Sequence, residues 1–84
     1  MSDTLRTAPV SAEAESTVVT WIVDLLEEPE AGAQDNFLDL GGHSMLALQL
    51  NERVKERFGA ELDIQVLFES SIGEAVAELL SRTG

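Results

Sequence analysis

The stretch LDLGGHSMLALQL, residues 38–50, decides the fold of this chain. Two glycines and the only histidine come directly before Ser44, and apolar residues then recur at helical spacing. This pattern predicts an amphipathic helix that begins at Ser44. Serine at such a position is most often an N-cap, so the rest of the sequence must show whether Ser44 is only a cap or also a site of chemistry.

The sequence before this stretch predicts one helix and one long loop. Apolar residues at three- and four-residue spacing indicate a first helix from Ser11, its expected N-cap, to about residue 28, where Pro29 ends it. Residues 29–43 show no helical or strand period and contain three glycines, which predicts a long connection. We expect this loop to be ordered, because three apolar side chains can anchor it to the core: Phe37, Leu38 and Leu40.

The sequence from Ser44 onward predicts three more helices. The first runs over residues 44–58 and ends at Gly59, a common C-terminal stop signal. Residues 65–69, QVLFE, are long enough for only about one helical turn. The last helix opens at Ser71, where the Ser-x-x-Glu pattern with Glu74 forms a capping box.

Together these elements predict an all-α domain, a small bundle of three main helices plus one short helix, with a long structured loop between helices 1 and 2. Each helix is apolar along one stripe only, so the stripes must pack against one another. A chain of 84 residues makes one domain. We place it at residues 11–82, between a flexible N-terminal tail of residues 1–10 and a C-terminal end of residues 83–84.

The composition narrows the choice of partners and compartment. Sixteen acidic residues against five basic ones give a net charge of −11. Nucleic acids and anionic lipids bind through Lys and Arg, so we expect neither, and proteins with basic faces are the natural partners. The absence of cysteine suits a reducing compartment. With no signal-peptide pattern and no apolar run of about 20 residues, we expect no membrane association and a cytoplasmic protein.

A catalytic role for Ser44 and a metal site in this chain both find little support in the sequence. A nucleophilic serine needs a base within hydrogen-bond reach, but the only histidine is its neighbour His43, and adjacent helix positions do not face each other. The G-x-S-x-G elbow of hydrolases is absent, because Met45 and Leu46 follow the serine. One histidine and no cysteine rule out an ordinary zinc site. We therefore predict no catalytic residue and no metal site.

Three features favour a serine that another enzyme modifies. Gly41 and Gly42 remove side chains from the approach, and a long loop on a rigid scaffold is typical of functional segments. Met45 should be partly exposed, because only one of the adjacent positions Met45 and Leu46 can face the core well. A phosphate ester on Ser44 would lie at a helix N-terminus, where free N–H groups and the helix dipole favour an anion.

At this point the residues match a known family. The stretch DNFLDLGGHSMLALQL, residues 35–50, closely resembles the phosphopantetheine attachment motif of peptidyl carrier proteins, also called thiolation domains, of nonribosomal peptide synthetases. The family pattern ends in Leu-Gly-Gly-His-Ser, which fits here up to Ser44, while Leu38 replaces the second aromatic residue of the pattern.

The resemblance covers nearly the whole chain, about residues 12–80. RVKERFGAEL and VLFES look like the second helix, connecting loop and short third helix of the family. Two positions depart from the family pattern: Ser70 and Ser71 replace a common Pro-Thr before the last helix, and Asp63 replaces a proline before the short one. Ser71 can still cap the last helix, so these departures leave the expected fold, like that of an acyl carrier protein, unchanged.

The resemblance implies that Ser44 receives 4′-phosphopantetheine from coenzyme A through a phosphopantetheinyl transferase, with Gly41, Gly42 and His43 as the flanking motif. The thiol of this covalent cofactor would hold an amino acid or peptide as a thioester. The carrier would perform no chemistry itself and would deliver its cargo to adenylation, condensation or tailoring enzymes. Met1 and the short tails slightly favour a free-standing carrier, although an excised domain would look the same, and we expect a monomer.

Docking of these enzymes is expected on a small apolar patch with an acidic rim. The candidates are Met45 and Leu48 on the second helix, and Val66 and Leu67 near the short helix. Plain core packing is an equally good explanation for Leu48, Val66 and Leu67.

Two other functions stay open. Acyl carriers of polyketide and fatty acid synthesis usually have aspartate before the serine, so His43 favours an aminoacyl or peptidyl cargo over a simple acyl one. The other alternative is a non-catalytic acidic helical module that binds a basic partner through its surface.

Overall fold

The computed structural model describes residues 9–83 of the chain, with side chains from residue 12 onward. Four helices follow one another: α1 (Pro9–Leu26), α2 (Ser44–Phe58), α3 (Ile64–Glu69) and α4 (Ile72–Thr83). Between residues 9 and 83 no strand is present. The predicted all-α bundle of three longer helices and one short helix is confirmed. Of the predicted N-terminal tail, residues 1–8 lie outside the described residues.

Both ends of α1 differ from the prediction. The helix begins at Pro9, so Ser11 lies inside the first turn and is not the N-cap, and residues 9–10 belong to the helix and not to a tail. The helix ends at Leu26, two residues earlier than expected, where Glu27 takes a left-handed φ of 56°.

Helix α2 has the predicted bounds and the predicted stop. Gly59 has a φ of 81°, and its N–H donates to the Lys55 carbonyl at 2.9 Å. Residues without a side chain adopt this left-handed conformation at little cost, which is why glycine so often follows the last turn of a helix.

Helix α3 begins at Ile64, one residue before the predicted start. The Asp63 carboxylate accepts hydrogen bonds from the N–H groups of Gln65, at 2.9 Å, and Val66, at 3.3 Å. An aspartate at this position satisfies two of the N–H groups that have no partner within the helix. The departure from the family proline therefore supplies a helix cap.

Helix α4 begins with the predicted capping box. The Glu74 N–H donates to the Ser71 hydroxyl at 3.1 Å, and the Ser71 N–H donates to the Glu74 carboxylate at 3.0 Å. Near the other end, Arg82 donates to the Glu78 carboxylate at 2.6 Å, and this hydrogen bond raises the pKa of Arg82. The same guanidinium donates to the carbonyl of Glu61 at 2.9 Å, which ties α4 to the loop before α3.

The core lies where the apolar stripes of the helices meet. Residues from all four helices are buried, together with the loop residue Phe37 and with Leu62 before α3. Trp21 is half-buried against this core, with its ring edge on to Phe58 at 6.2 Å between centroids, as expected for a structural tryptophan. An ion pair between Asp24 and Arg53, 3.4 Å apart, joins α1 to α2 on the surface.

One buried polar residue was not singled out by the sequence. Asn51 on α2 is 3 % exposed. Its amide donates to the Leu62 carbonyl at 3.1 Å, and its side-chain oxygen accepts from the Leu62 N–H at 2.8 Å. Both polar atoms of the side chain are thereby satisfied, and the loop between α2 and α3 is fixed to the core.

No helix in the described part of the chain has the length and apolar character that crossing a membrane requires.

Candidate functional site

Ser44 is the first residue of α2 and its side chain is exposed. The N-cap position belongs to His43, which has an extended backbone with φ −154° and ψ −179°, and no side chain caps this helix. The interpretation of Ser44 as an N-cap is therefore wrong. Its hydroxyl stands at the surface of the helix end, where a modifying enzyme can reach it.

The end of α2 that carries Ser44 offers N–H groups to an anion. The first backbone bond of the helix runs from the Ala47 N–H to the His43 carbonyl, at 2.9 Å. The preceding N–H groups, of Ser44, Met45 and Leu46, therefore point out of the helix end. The first turn contains no acidic residue. A phosphodiester on Ser44 fits this position, because it meets N–H groups and the positive end of the helix dipole.

The long loop before Ser44 is ordered, as predicted, and its backbone serves the start of α4. The Ile72 N–H donates to the Asp35 carbonyl at 2.9 Å, and the Gly73 N–H donates to the Ala33 carbonyl at 2.8 Å. These are N–H groups of the first turn of α4, which have no partner within their own helix. The loop carbonyls thereby accept the hydrogen bonds that water would otherwise accept at this helix end.

The same loop also serves the end of α3. The Asn36 side-chain amide donates to the carbonyls of Phe68 and Ser70, both at 2.9 Å, and its oxygen accepts from the Asp39 N–H at 3.1 Å. Carbonyls at a helix C-terminus lack intrahelical partners, and Asn36 satisfies them. These long-range hydrogen bonds explain the order of a segment that has no helix or strand of its own.

The two glycines before Ser44 are required by the loop itself. A Cβ on Gly42 would lie 2.3 Å from the Phe37 ring, which is fully buried and stacks on Phe68 at 6.1 Å between centroids. Gly41 has a φ of 99°, a conformation that side chains disfavour, and a Cβ there would meet nothing within 4 Å. The expected open approach to Ser44 is thus present at Gly41, while Gly42 is needed for packing.

Three large apolar side chains of the described chain are exposed: Leu38 at 43 %, Met45 at 60 % and Leu48 at 61 %. Exposure of Met45 and Leu48 was predicted, and they lie one helical turn apart on the same face of α2. Leu38 was expected to anchor the loop, and this expectation is wrong. Its neighbour Phe37 occupies the buried position, so Leu38 points outward, and the sequence reasoning missed it as a surface residue.

The short helix contributes less apolar surface than predicted. Leu67 is 0 % exposed and belongs to the core, so the prediction that it contacts partners is wrong. The reason is geometric: in a helix of one and a half turns, the residue that packs on the bundle cannot also face solvent. Val66, the other predicted contact on α3, is half-buried and keeps an accessible edge.

Charge is distributed unevenly around this site. The sequence has no Lys or Arg between Arg6 and Arg53. The basic residues of α2 lie towards its C-terminal end, at Arg53, Lys55 and Arg57. The loop before Ser44 and the first two turns of α2 therefore contain acidic residues but no Lys or Arg.

Comparison with known proteins identifies the class to which this small helical domain belongs. Residues 16–80 match the family described as "Phosphopantetheine attachment site". The chain belongs to this family, whose members carry a covalent 4′-phosphopantetheine derived from coenzyme A. It is thus a carrier on which other enzymes act.

Individual relatives include a dimodular nonribosomal peptide synthase of Bacillus subtilis, 47 % identical over 58 residues, which are 69 % of this chain and 2 % of the synthase. The chain thus spans a small fraction of the length of this curated relative. A type-II acyl carrier protein from Streptomyces verticillus involved in bleomycin biosynthesis, BlmI, is 25 % identical with a TM-score of 0.80, and all of both chains is covered.

A second solved structure contains the phosphopantetheine transferase Sfp in complex with coenzyme A and a peptidyl carrier protein. It matches with 27 % identity and a TM-score of 0.73, over 82 % of this chain and 91 % of that chain. The resemblance to peptidyl carrier domains and the acyl-carrier-like fold, both expected from the sequence, are confirmed.

Proposed function

We propose that this chain is a peptidyl carrier protein that works in nonribosomal peptide biosynthesis with Ser44 as its attachment point. The observation that carries the proposal is the exposed Ser44 side chain at the first position of α2, where it caps nothing. The attached arm supplies a thiol that holds an aminoacyl or peptidyl group as a thioester. The similarity to the dimodular nonribosomal peptide synthase of Bacillus subtilis supports this cargo.

The chain's own residues hold and present the arm. The outward N–H groups of the first turn of α2 stabilise the phosphate at its root, and Gly41, Gly42 and His43 form the approach to the serine. The carrier contributes no reacting group. It accelerates the pathway by tethering, because a bound substrate meets each enzyme at a high effective concentration.

The partners of such a carrier are a phosphopantetheinyl transferase and the adenylation, condensation or tailoring enzymes that load and use the cargo. We propose that they dock on Met45 and Leu48, with Val66 at the edge of the contact and Leu38 as an addition from the loop. Contacts of this modest size are released readily, which a carrier that visits several enzymes requires. We further propose that the carrier is a monomer of the cytoplasm.

Intact mass tests the attachment. The protein is incubated with coenzyme A and a promiscuous phosphopantetheinyl transferase, and the wild type is expected to gain the mass of one arm. Ser44→Ala should gain nothing, whereas Ser71→Ala, which alters another serine at a helix start, should be modified like the wild type. An unmodified wild type beside a fully modified control carrier contradicts the proposal and leaves the acidic interaction module as the explanation.

The cargo is tested separately, because the structural similarity to BlmI also suits an acyl carrier. The modified protein is offered to adenylating enzymes with amino acids and, in parallel, to an acyl-loading enzyme. An aminoacyl group on the arm supports a peptidyl carrier. Loading by the acyl enzyme alone would assign the chain to polyketide or fatty acid synthesis.

A further inference from the structure

Asn36 joins two parts of the molecule that are far apart in sequence. Its amide donates to the carbonyls of Phe68 and Ser70 at the end of α3. Its side-chain oxygen accepts from the Asp39 N–H, in the turn that leads to Ser44. Its backbone carbonyl accepts from the Leu40 N–H at 3.1 Å. One residue therefore holds the end of α3 and shapes the loop before the serine.

The neighbouring residue adds a second connection between the same two parts. The Phe37 ring stacks on Phe68 of α3 and fills the space over Gly42. The Gly42 N–H donates to the Phe37 carbonyl at 3.0 Å. Displacement of α3 would therefore be felt two residues before Ser44, because a packed aromatic contact transmits strain rather than absorbing it.

We infer that Asn36 is a positioning residue that holds α3 and the start of α2 at one fixed spacing, so that a partner contacting both finds Ser44 in a constant place. This inference rests on the proposed function. It explains how the surface proposed for docking, formed by Met45, Leu48, Val66 and Leu38, is held rigid. Without the Asn36 bonds, the Phe68 and Ser70 carbonyls lose these partners, and the end of α3 is joined to the loop by the Phe37–Phe68 contact and by the backbone bonds of the loop to Ile72 and Gly73. Docking of a partner must then also order α3, and this cost weakens binding.

The substitution Asn36→Asp tests the inference sharply. The carboxylate keeps an oxygen for the Asp39 N–H but presents its other oxygen to the two carbonyls of α3, which it can only repel. Asn36→Ala removes both sets of bonds without that repulsion and serves as the second variant. Asn51→Asp is the matched control, because Asn51 makes the same kind of paired bonds to Leu62, on the N-terminal side of α3, and none of these bonds involves the loop before Ser44.

The first measurement is steady-state transfer from coenzyme A, at a temperature at which circular dichroism shows each variant to be folded. Both Asn36 variants are expected to raise the KM for the carrier about tenfold and to leave kcat within about twofold. Docking of the carrier on the transferase is weakened, while the Ser44 hydroxyl is unchanged once docked. Asn51→Asp should leave both constants within about twofold even though it lowers Tm more. Equal KM values for Asn36→Asp and the wild type would overturn the inference, as would an equal rise in Asn51→Asp.

The second measurement is independent of the transferase. Amide hydrogen exchange by NMR is expected to show the Ser70 and Gly42 N–H groups losing protection together in Asn36→Asp, and neither doing so in Asn51→Asp. Loss of protection at Ser70 alone would contradict the coupling. A wild type that cannot be modified defeats the proposed function, while the exchange result still decides whether Asn36 couples α3 to the loop.

Discussion

Gly42 shows how closely the attachment site depends on a single missing side chain. A Cβ at this position would lie 2.3 Å from one atom of the Phe37 ring, which has no exposed surface and packs on Phe68. The ring is enclosed by the core, so a Cβ on Gly42 would force either the ring or the loop out of its observed position. Glycine at this position is thus a requirement of packing, where the sequence had suggested only an open approach to Ser44.

We therefore expect Gly42→Ala to lower the free energy of unfolding by about 1–3 kcal/mol, the usual cost of overpacking a filled core. Urea unfolding followed by circular dichroism measures the loss. The double variant with Phe37→Leu should lose less stability than the sum of the two single losses, because the smaller side chain leaves room for the methyl group.

The control for this prediction is Gly41→Ala. Its cost, about 1–2 kcal/mol, arises from the left-handed backbone conformation and not from contact with the ring, since a Cβ there meets nothing within 4 Å. In that background the losses from Gly41→Ala and Phe37→Leu should be additive. If Gly42→Ala is as stable as the wild type, or if its loss is additive with that of Phe37→Leu, the packing explanation is wrong.

At the scale of the helices, the stability of α3 depends more on the hydrogen bonds at its two ends than on those within it. A helix of six residues has few internal hydrogen bonds, and isolated helices much longer than this are only marginally stable in water. Asp63 satisfies N–H groups at one end, and Asn36 satisfies carbonyls at the other. Loss of either cap should therefore loosen α3 while the longer helices remain.

Asp63→Ala is expected to lower the free energy of unfolding by about 1 kcal/mol, the typical cost of losing an N-cap. Thermal unfolding measures the change. Asp63→Asn keeps an oxygen for the Gln65 and Val66 N–H groups and should retain most of the stability. A loss in the asparagine variant as large as in the alanine variant would show that charge, and not capping, is responsible.

The helix boundaries that the sequence predicted correctly are those with local signals. Gly59 ends α2 through its own backbone conformation, and Ser71 with Glu74 opens α4 through bonds three residues apart. Such signals are complete within one short segment, so a pattern of residue types is sufficient to find them. The start of α1 was placed two residues late because Ser11 offered a local cap signal that the structure does not use.

The parts that could not be predicted depend on contacts between distant segments. Nothing local to Asn36 indicates that its amide reaches Phe68 and Ser70, and nothing near Asn51 indicates Leu62. The same holds for the surface on which we propose that partners dock. Ser44 and the exposed Met45 followed from position on a helix, whereas the burial of Leu67 is decided by the angle at which α3 meets the bundle.

For the whole molecule, the distribution of charge gives the two ends of α2 different character. The helix spans about 22 Å, with 15 residues at about 1.5 Å each. Its first two turns and the loop before them contain no Lys or Arg, while Lys55 and Arg57 lie in its last turn. A partner with a basic face is therefore drawn to the Ser44 end, since opposite potentials steer the encounter of two proteins.

Matched charge reversals at the two ends test this steering. Asp39→Lys places a positive charge in the loop before Ser44. Glu13→Lys makes the same change in net charge beside Arg57, in the groove between α1 and the end of α2. Both positions are exposed, so neither substitution disturbs the core.

Asp39→Lys should lower kcat/KM for phosphopantetheinyl transfer several-fold at low ionic strength, and Glu13→Lys much less, because only Asp39 lies in the loop before Ser44, where we propose that the enzyme docks. The difference should shrink as salt is raised from about 0.01 M to about 0.15 M, where the Debye length falls from about 30 Å to about 8 Å. A simple effect of net charge predicts equal losses in the two variants. Equal losses would therefore refute orientation by charge, and a difference that persists at high salt would point to a direct contact of Asp39 instead.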